Sequence, residues 1–166
     1  MKKEHIVHAI EPVFDKNSQI LILGSMPSPK SREAGFYYGH PQNLFWPALA
    51  AVLAKPEPDK NKAARKAFAL QNKVALWDVL ASCDIQGADD SSITNVEPNE
   101  IKRILDYAPV KAVFTTGKQA KKLYDKYCWP QTHQAAIYLP STSPANRAMQ
   151  KKPEFWQAWF QLRTYL

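Results

Sequence analysis

The chain has 166 residues, of which 45% are hydrophobic and 22% are charged, and its formal net charge is +7. This length predicts one domain, spanning residues 1–166, with a single hydrophobic core. No apolar run is long enough to cross a bilayer, which excludes a membrane span, and the excess of positive charge favours a polyanionic partner, above all nucleic acid.

Apolar runs and helical periodicity predict strands that alternate with helices. In chain order these are a strand at 19–23, helices at 43–53 and 58–71, a strand at 74–80, a helix at 98–107, a strand at 111–115, a helix at 118–127, a strand at 135–139 and a final helix at 153–166. The strand runs are continuously apolar, which is typical of strands covered on both faces, as in a parallel sheet. The pattern therefore predicts a three-layer α/β/α domain with a central, mainly parallel four-stranded sheet.

Three segments leave the carboxyl ends of these strands, where ligands bind in open parallel sheets. They are residues 24–46, 78–95 and 140–147, and we expect all three to be loops. The first holds Phe36, Tyr37 and Tyr38, whose rings offer flat faces, and Asn43, whose amide both donates and accepts hydrogen bonds. This combination suits the binding of a planar heterocycle such as a flipped base. The alternative is that the rings fill the core and that Asn43 caps the helix beginning at Leu44.

The segment 139–147, LPSTSPANR, combines hydroxyl and amide groups with two prolines and a terminal arginine. Its polar groups suit phosphate oxygens, and its prolines stiffen it into a wedge. A plain surface turn is the alternative.

Motifs for several other chemistries are absent from the sequence. Residues 24–46 contain neither the Gly-Lys-Ser/Thr ending of a phosphate-binding loop nor a GxGxxG dinucleotide pattern, and the chain has no GxSxG nucleophile elbow. The histidines show no metal-ligand spacing, and two cysteines are too few for a four-thiolate site. We therefore expect no bound metal and no cofactor. The basic N-terminus is not followed by an apolar segment, so we expect a cytoplasmic protein without a signal peptide.

Four stretches, in this order, resemble motifs of the uracil-DNA glycosylase superfamily: ILILGSMPSP, GFYYGHPQNLFW, ALWDVLASC and LPSTSPAN. Within it they are most similar to the hypoxanthine-DNA (deoxyinosine) glycosylases, with the G:T/U mismatch-specific glycosylases as near relatives. The resemblance implies a monofunctional enzyme that hydrolyses the N-glycosidic bond of a flipped deaminated base, with hypoxanthine favoured, and leaves an abasic site. It implies double-stranded DNA containing such a base as the partner, with single-stranded DNA as a further candidate, and a monomer.

Other functions stay open beside this one. A closely related alternative keeps the fold and excises uracil, or the mismatched base of a G:U or G:T pair. A basic nucleic-acid-binding module without catalysis belongs to a different class. Mismatch-specific relatives position the attacking water with an asparagine of the first motif, and Met26 stands at that place here. A nucleotide-hydrolysing enzyme would leave the basic surface and the wedge unexplained.

The resemblance also implies roles for individual residues. Asn43 matches the catalytic asparagine of the hypoxanthine branch, and Tyr38 matches the aromatic residue that stacks on the extruded base. The other implied base-pocket residues are Ser25, Met26, Phe36 and His40. The loop that enters the duplex and fills the gap is matched by Ser141, Thr142, Ser143, Pro144, Ala145, Asn146 and Arg147.

Asp78 stands where strict uracil enzymes read the base edge with an asparagine. A carboxylate only accepts hydrogen bonds, so it could bind the N–H beside the carbonyl of hypoxanthine or uracil but not the carbonyl oxygen. This exchange would admit several deaminated bases that share the O=C–N–H edge. The alternative is that Asp78 binds the backbone of the segment that follows it.

Overall fold

Two β-sheets organise the chain, of which the computed structural model describes residues 2–166. The strands are β1 (Glu4–Val7), β2 (Ile20–Gly24), β3 (Val74–Asp78), β4 (Leu80–Gln86), β5 (Asp89–Pro98), β6 (Ala112–Thr116) and β7 (Ala136–Leu139). The helices are α1 (Pro29–Ala34), α2 (Phe45–Leu53), α3 (Lys62–Gln71), α4 (Lys102–Tyr107), α5 (Lys118–Tyr127), α6 (Trp129–Thr132), α7 (Arg147–Gln150) and α8 (Pro153–Phe160), with 3₁₀ helices at Pro144–Asn146 and Gln161–Tyr165. Within residues 2–166, no helix is both long and apolar enough to span a membrane.

The first sheet has four parallel strands in the order β3-β2-β6-β7. Every residue of β2 and β3 is buried, as expected for strands with helices packed on both faces. The predicted α/β class with a parallel four-stranded sheet is confirmed. In the register of the sheet, Gly24 lies beside Asp78, and Leu23 lies beside Thr115. The carboxyl ends of neighbouring strands therefore meet at one edge.

The second sheet is antiparallel, in the order β1-β4-β5, and the sequence pattern does not predict it. The expectation of a loop at 78–95 is wrong, because β3 ends at Asp78, and β4 and β5 then form a hairpin that turns at Gly87, whose φ is 61°. Residues of β4 such as Cys83 and Ile85 are buried, while their neighbours Asp84 and Gln86 are partly exposed. A strand of this kind lacks the continuous apolar run by which the parallel strands are predicted.

Helix boundaries differ from the predicted ones for local reasons. Helix α3 begins at Lys62 because the Asn61 side chain caps it, accepting a hydrogen bond from Ala64 N at 2.8 Å. Helix α4 begins at Lys102 and not at the predicted position 98, because Pro98 still belongs to β5. The last α-helix ends at Phe160 and continues as a 3₁₀ helix.

Candidate active site

A cavity of about 330 Å³ lies at the carboxyl edge of the parallel sheet. Its lining comes from the segments that follow β2, β3 and β7, together with Thr116 at the end of β6. All three segments chosen from the sequence therefore meet at this edge. The hairpin of β4 and β5 adds Ile85, Ala88 and Asp90 to the lining.

Asp78, the last residue of β3, lines the cavity with a side chain that is only 5% exposed. A Cβ atom on Gly24 would lie 2.5 Å from Asp78 Oδ1, so only glycine leaves room for the carboxylate at this register position. The backbone of Asp78 is held by Asn99, whose Nδ2 donates to its carbonyl oxygen at 2.9 Å. The carboxylate is thus buried, positioned and turned toward the cavity.

A histidine from the N-terminal strand region contacts the same carboxylate. His8 Nε2 lies 2.8 Å from Asp78 Oδ2, and the His8 side chain is 3% exposed. The backbone N–H of His8 donates to Ala81 O at 2.7 Å, which places the residue beside β4. Within residues 2–166 the Asp78 carboxylate makes no hydrogen bond to the backbone, so the alternative of a purely local role for this side chain does not describe its geometry.

A second carboxyl group, that of Asp90, reaches the cavity from the hairpin. Ser25 Oγ donates to Asp90 Oδ1 at 3.3 Å. Burial raises the pKa of Asp90, the hydrogen bond from Ser25 opposes this shift, and the negative charges of Asp89 and Asp78 raise the pKa further. The cavity therefore carries two carboxyl groups in a chain whose net charge is positive.

Tyr38 is held by contacts at both ends of its side chain. Its ring stacks on Phe45, with the centroids 3.8 Å apart and the planes at 7°. Its hydroxyl lies 3.0 Å from Thr116 Oγ1, and because that threonine donates to Leu23 O at 3.3 Å, Tyr38 is the donor. Burial and the charge of Asp78 raise the pKa of Tyr38, which keeps the phenol neutral. Since Phe45 covers one ring face, only the opposite face of Tyr38 can stack on a ligand.

Asn43 lines the cavity and also bonds the start of α2. Its Oδ1 accepts the backbone N–H of Phe45, the first residue of α2, at 2.9 Å, while Leu44 occupies the N-cap position. Because the backbone N–H requires the oxygen, Nδ2 is left to donate to a ligand. Nearby, His40 Nδ1 accepts the N–H of Gln42 at 3.0 Å, so a neutral His40 carries its proton on Nε2.

The segment 139–147 is stiff because its carbonyl groups are bound by side chains. Gln150 Nε2 donates to the carbonyl oxygens of Ser141 at 3.1 Å and Ser143 at 2.8 Å. Leu44 N donates to Thr142 O at 3.0 Å, which ties the segment to the start of α2. Four of its residues line the cavity: Ser141, Thr142, Ser143 and Pro144.

The remaining residues named from the sequence fall into two groups. Ser25 and Met26 line the cavity. Phe36 does not, because it is buried in the core, where its ring stacks on Trp46 at 6.0 Å and 15°. Beyond the cavity lie Ala145, Asn146 and Arg147, with Ala145 and Arg147 exposed.

Sequence reasoning did not identify His8 or Asp90 as site residues. They meet their partners Asp78 and Ser25 across 70 and 65 residues of chain. Gly87 lies between two stretches in which apolar and polar residues alternate. This pattern could have predicted the hairpin and, with it, Asp90. No comparable signal marks His8.

Comparisons with known proteins agree with this geometry. A family model described as the Uracil DNA glycosylase superfamily matches residues 11–163. A protein of Methanosarcina barkeri named hypoxanthine DNA glycosylase is 32% identical over 161 residues, which cover 96% of this chain and 99% of that protein. A protein of Methanosarcina acetivorans with the same name is 31% identical over 89% of this chain and 94% of that protein. The solution NMR structure of a candidate uracil DNA glycosylase from Methanosarcina acetivorans superimposes with a TM-score of 0.76 at 28% identity, covering 94% of this chain and 98% of that one.

Proposed function

The chain belongs to the uracil DNA glycosylase superfamily, and we propose that it is a monofunctional DNA glycosylase that excises deaminated bases, with hypoxanthine preferred. It hydrolyses the N-glycosidic bond of a base flipped out of the duplex and leaves an abasic site. The names of the relatives from Methanosarcina barkeri and Methanosarcina acetivorans favour hypoxanthine among the deaminated bases.

The observation that carries the proposal is the cavity at the carboxyl edge of the parallel sheet. One wall presents the aromatic ring of Tyr38, and the lining also holds the buried carboxylate of Asp78 and the amide of Asn43. A flipped base needs a stacking surface and polar partners for its edge, and these groups offer both.

Asp78 is proposed to recognise the edge that deamination creates. Hypoxanthine and uracil both carry an N–H beside a carbonyl group, and the free oxygen of the Asp78 carboxylate can accept that N–H. A negative group does not help an anionic base to depart. Asp78 therefore contributes to selection of the base more than to the rate of bond cleavage.

Asn43 is proposed to act on the leaving base or on the attacking water. When the bond between the sugar C1′ and the base nitrogen breaks, its electron pair stays on the base, and the sugar gains oxocarbenium character. The two N–H groups of Asn43 Nδ2 can donate to the base oxygen as this negative charge grows, or can hold the water whose oxygen attacks C1′. The first motif holds Met26 where some relatives have asparagine, so no other amide replaces Asn43 there.

The second carboxyl group of the cavity, that of Asp90, favours the positive sugar. An oxocarbenium ion is stabilised by nearby negative charge, and Asp90 lines the cavity in which it forms. Asp90 takes part only in its ionised form. It thereby provides a carboxylate that the first motif lacks.

Double-stranded DNA is the proposed substrate, bound by one copy of a single domain spanning residues 1–166 in the cytoplasm. The net charge of +7 suits the phosphate backbone, and the segment 139–147 is stiff enough to enter the duplex and fill the gap left by the flipped base. Deaminated pairs are weaker than normal ones, so flipping them requires less free energy.

A second candidate function is the excision of uracil from mismatches with guanine. The observation that favours it is the same carboxylate, because uracil shares the O=C–N–H edge that Asp78 can accept. The two functions differ in the size of the base and not in the chemistry.

The test uses labelled duplexes with one inosine, one uracil or one G:T mismatch, incubated with the protein in EDTA and then treated with alkali. Strand breaks at inosine alone are the expected result, and EDTA tests the expectation that no metal is needed. Breaks at uracil alone would establish the second candidate. Binding without breaks on any duplex would indicate a nucleic-acid-binding module without catalysis and would contradict the proposal.

A further inference from the structure

Strand β1 is followed by His8, whose buried side chain contacts Asp78, the carboxylate proposed to recognise the base. Strand β1 pairs with β4 up to the pair Val7↔Ser82, and the next residue, His8, donates its N–H to Ala81 O at 2.7 Å. These backbone contacts place His8 beside Ala81, which follows Asp78 by three residues in the chain. His8 lies outside residues 11–163, which the family model matches.

In the His8–Asp78 pair, the two oxygens of the carboxylate lie in different surroundings. His8 Nε2 lies 2.8 Å from Oδ2, with the two side chains 3% and 5% exposed. The other oxygen, Oδ1, lies against Gly24, where a Cβ atom would approach to 2.5 Å. Within residues 2–166 no second hydrogen bond reaches this carboxylate, so Oδ1 is the oxygen left for a ligand in the cavity.

We propose that His8 is a positioning residue that holds Asp78 as a hydrogen-bond acceptor and thereby makes the enzyme reject adenine. This inference rests on the proposed glycosylase function. Adenine and hypoxanthine differ at the position next to the six-membered ring carbon that is deaminated: adenine has a lone pair on N1, and hypoxanthine has an N–H. An ionised Asp78 accepts the N–H of hypoxanthine and repels the lone pair of adenine.

The role of His8 follows from what the carboxylate would do without it. A carboxylate that loses the hydrogen bond on Oδ2 can rotate about its Cβ–Cγ bond, so that Oδ1 no longer faces the cavity at a fixed position. A carboxylate that can turn away from the lone pair of adenine N1 repels it less, so the distinction between the two bases weakens. Guanine shares the edge of hypoxanthine, and the pair therefore accounts for rejection of adenine and not of guanine.

Other ionisable groups surround the pair and belong to this account. The ring of Tyr37 lies 6.1 Å from that of His8. Burial raises the pKa of Tyr37, of Tyr38 and of Asp90, and the negative charge of Asp78 raises each of them further. Each shift favours the neutral form of the residue whose pKa is raised. In the described part of the chain, His8 is the one side chain that hydrogen-bonds the Asp78 carboxylate.

The chain contains a matched control for this pair. His5 Nδ1 lies 2.8 Å from Asp84 Oδ1 between β1 and β4, but these side chains are 55% and 32% exposed. The residue types and the distance match those of the His8–Asp78 pair, whereas the ring nitrogen, the burial and the position relative to the cavity differ. Replacement of His5 tests what loss of a histidine from this region does to folding without touching the cavity.

The experiment measures single-turnover excision of inosine and of adenine at one position of the same duplex. His8→Ala should lower inosine excision by about 10- to 100-fold, as expected for a lost hydrogen bond to a charged group, and should raise adenine excision relative to inosine. His8→Gln, which keeps an N–H donor, should recover most of both properties. His5→Ala should match the wild type.

A double-mutant cycle separates positioning from a structural role. If His8 acts through the carboxylate, His8→Ala should have little further effect in an Asp78→Asn background. An equal loss in both backgrounds, or an unchanged ratio of inosine to adenine in His8→Ala, would overturn the inference while leaving the glycosylase function intact. A wild type that excises no base from any duplex would overturn both, and thermal melting of each variant identifies a loss caused by unfolding.

Discussion

The two sheets contribute to the cavity in different ways. The parallel sheet brings Gly24, Asp78 and Thr116 together at its carboxyl edge, and the segment that follows β2 adds Asn43. The antiparallel sheet adds Asp90 to the cavity lining, and His8, the residue after β1, contacts Asp78. We infer that the first sheet holds the groups that contact the base and that the second supplies groups that position them or add negative charge. Substitutions in the two sheets should therefore differ in size and in kind.

The largest effect is expected at Asn43. Asn43→Ala removes the Nδ2 donors from the cavity and should lower inosine excision by about 10²–10³-fold, with binding of the duplex nearly unchanged. Single-turnover rates and binding titrations measure the two quantities separately.

Asn61 provides the control, because its side chain also accepts a backbone N–H at the start of a helix, that of Ala64 at 2.8 Å, as Asn43 accepts that of Phe45 at 2.9 Å. Asn61→Ala should lower stability by about 1 kcal/mol and leave the rate unchanged. Full activity of Asn43→Ala would remove Asn43 from the catalytic role and leave it only the hydrogen bond from Phe45.

The parallel strands are also the part of the fold that the sequence predicts well. Strand β2 is expected at 19–23 and found at Ile20–Gly24, and β6 is expected at 111–115 and found at Ala112–Thr116. Burial on both faces makes such strands apolar throughout, so they stand out from any neighbouring pattern. The segments that leave them are then the natural place to look for a site.

The antiparallel sheet is not predicted because it has only one buried face and a polar turn. Its site residues depend on contacts across 65 to 70 residues, which no local pattern contains. Phe36 illustrates the reverse problem. Its aromatic character suits a base pocket equally well, and only the packing of its ring on Trp46 shows that it fills the core.

Gly24→Ala tests whether the register of the parallel sheet positions the carboxylate. The new methyl group would lie 2.5 Å from Asp78 Oδ1 and should displace it, lowering inosine excision by about 10²-fold. Asp78→Asn in the same assay should lower inosine excision by a similar factor, because the acceptor for the base N–H is lost, and should also alter the choice of base. Gly24→Ala with wild-type rate and selectivity would show that the position of Oδ1 is not important.

Asp90→Asn tests the contribution of the antiparallel sheet. Loss of the Asp90 charge removes electrostatic stabilisation of the oxocarbenium sugar and should lower the rate roughly 10-fold, which corresponds to about 1.4 kcal/mol. Because burial raises the pKa of Asp90, the wild-type rate should begin to fall on the acid side at a higher pH than an ordinary aspartate would give, and the variant should lack this limb.

The same substitution, Asp90→Asn, should raise the stability of the fold although it lowers the rate of excision. The raised pKa means that the folded state binds the proton of Asp90 more tightly than the unfolded state, so ionised Asp90 destabilises the fold at neutral pH. This destabilisation becomes smaller as the pH falls below the raised pKa, and it is gone below the pKa of the unfolded state. Asp90→Asn should therefore melt at a higher temperature than the wild type at pH 7. Asp89 and Asp90 are both exposed residues, but of the two Asp90 lines the cavity, so Asp89→Asn is the control. An equal effect of both substitutions would contradict the role of Asp90.

The smallest effect is expected beside the cavity, where Arg147 is exposed and donates to Gln42 O at 3.4 Å. Duplex binding by the wild type should weaken with salt, and Arg147→Ala should reduce the slope of log K against log[salt] by about 1 because one phosphate contact is lost. Lys66→Ala, on the exposed face of α3, should leave the slope unchanged, since a basic helix face of this kind serves solubility. Equal slopes for the wild type and Arg147→Ala, with a reduced slope for Lys66→Ala, would indicate that the DNA binds the surface of α3 and not the loops of the parallel sheet. A slope near zero for the wild type would contradict any contact with phosphates, and with it the view that the parallel sheet presents its loops to DNA.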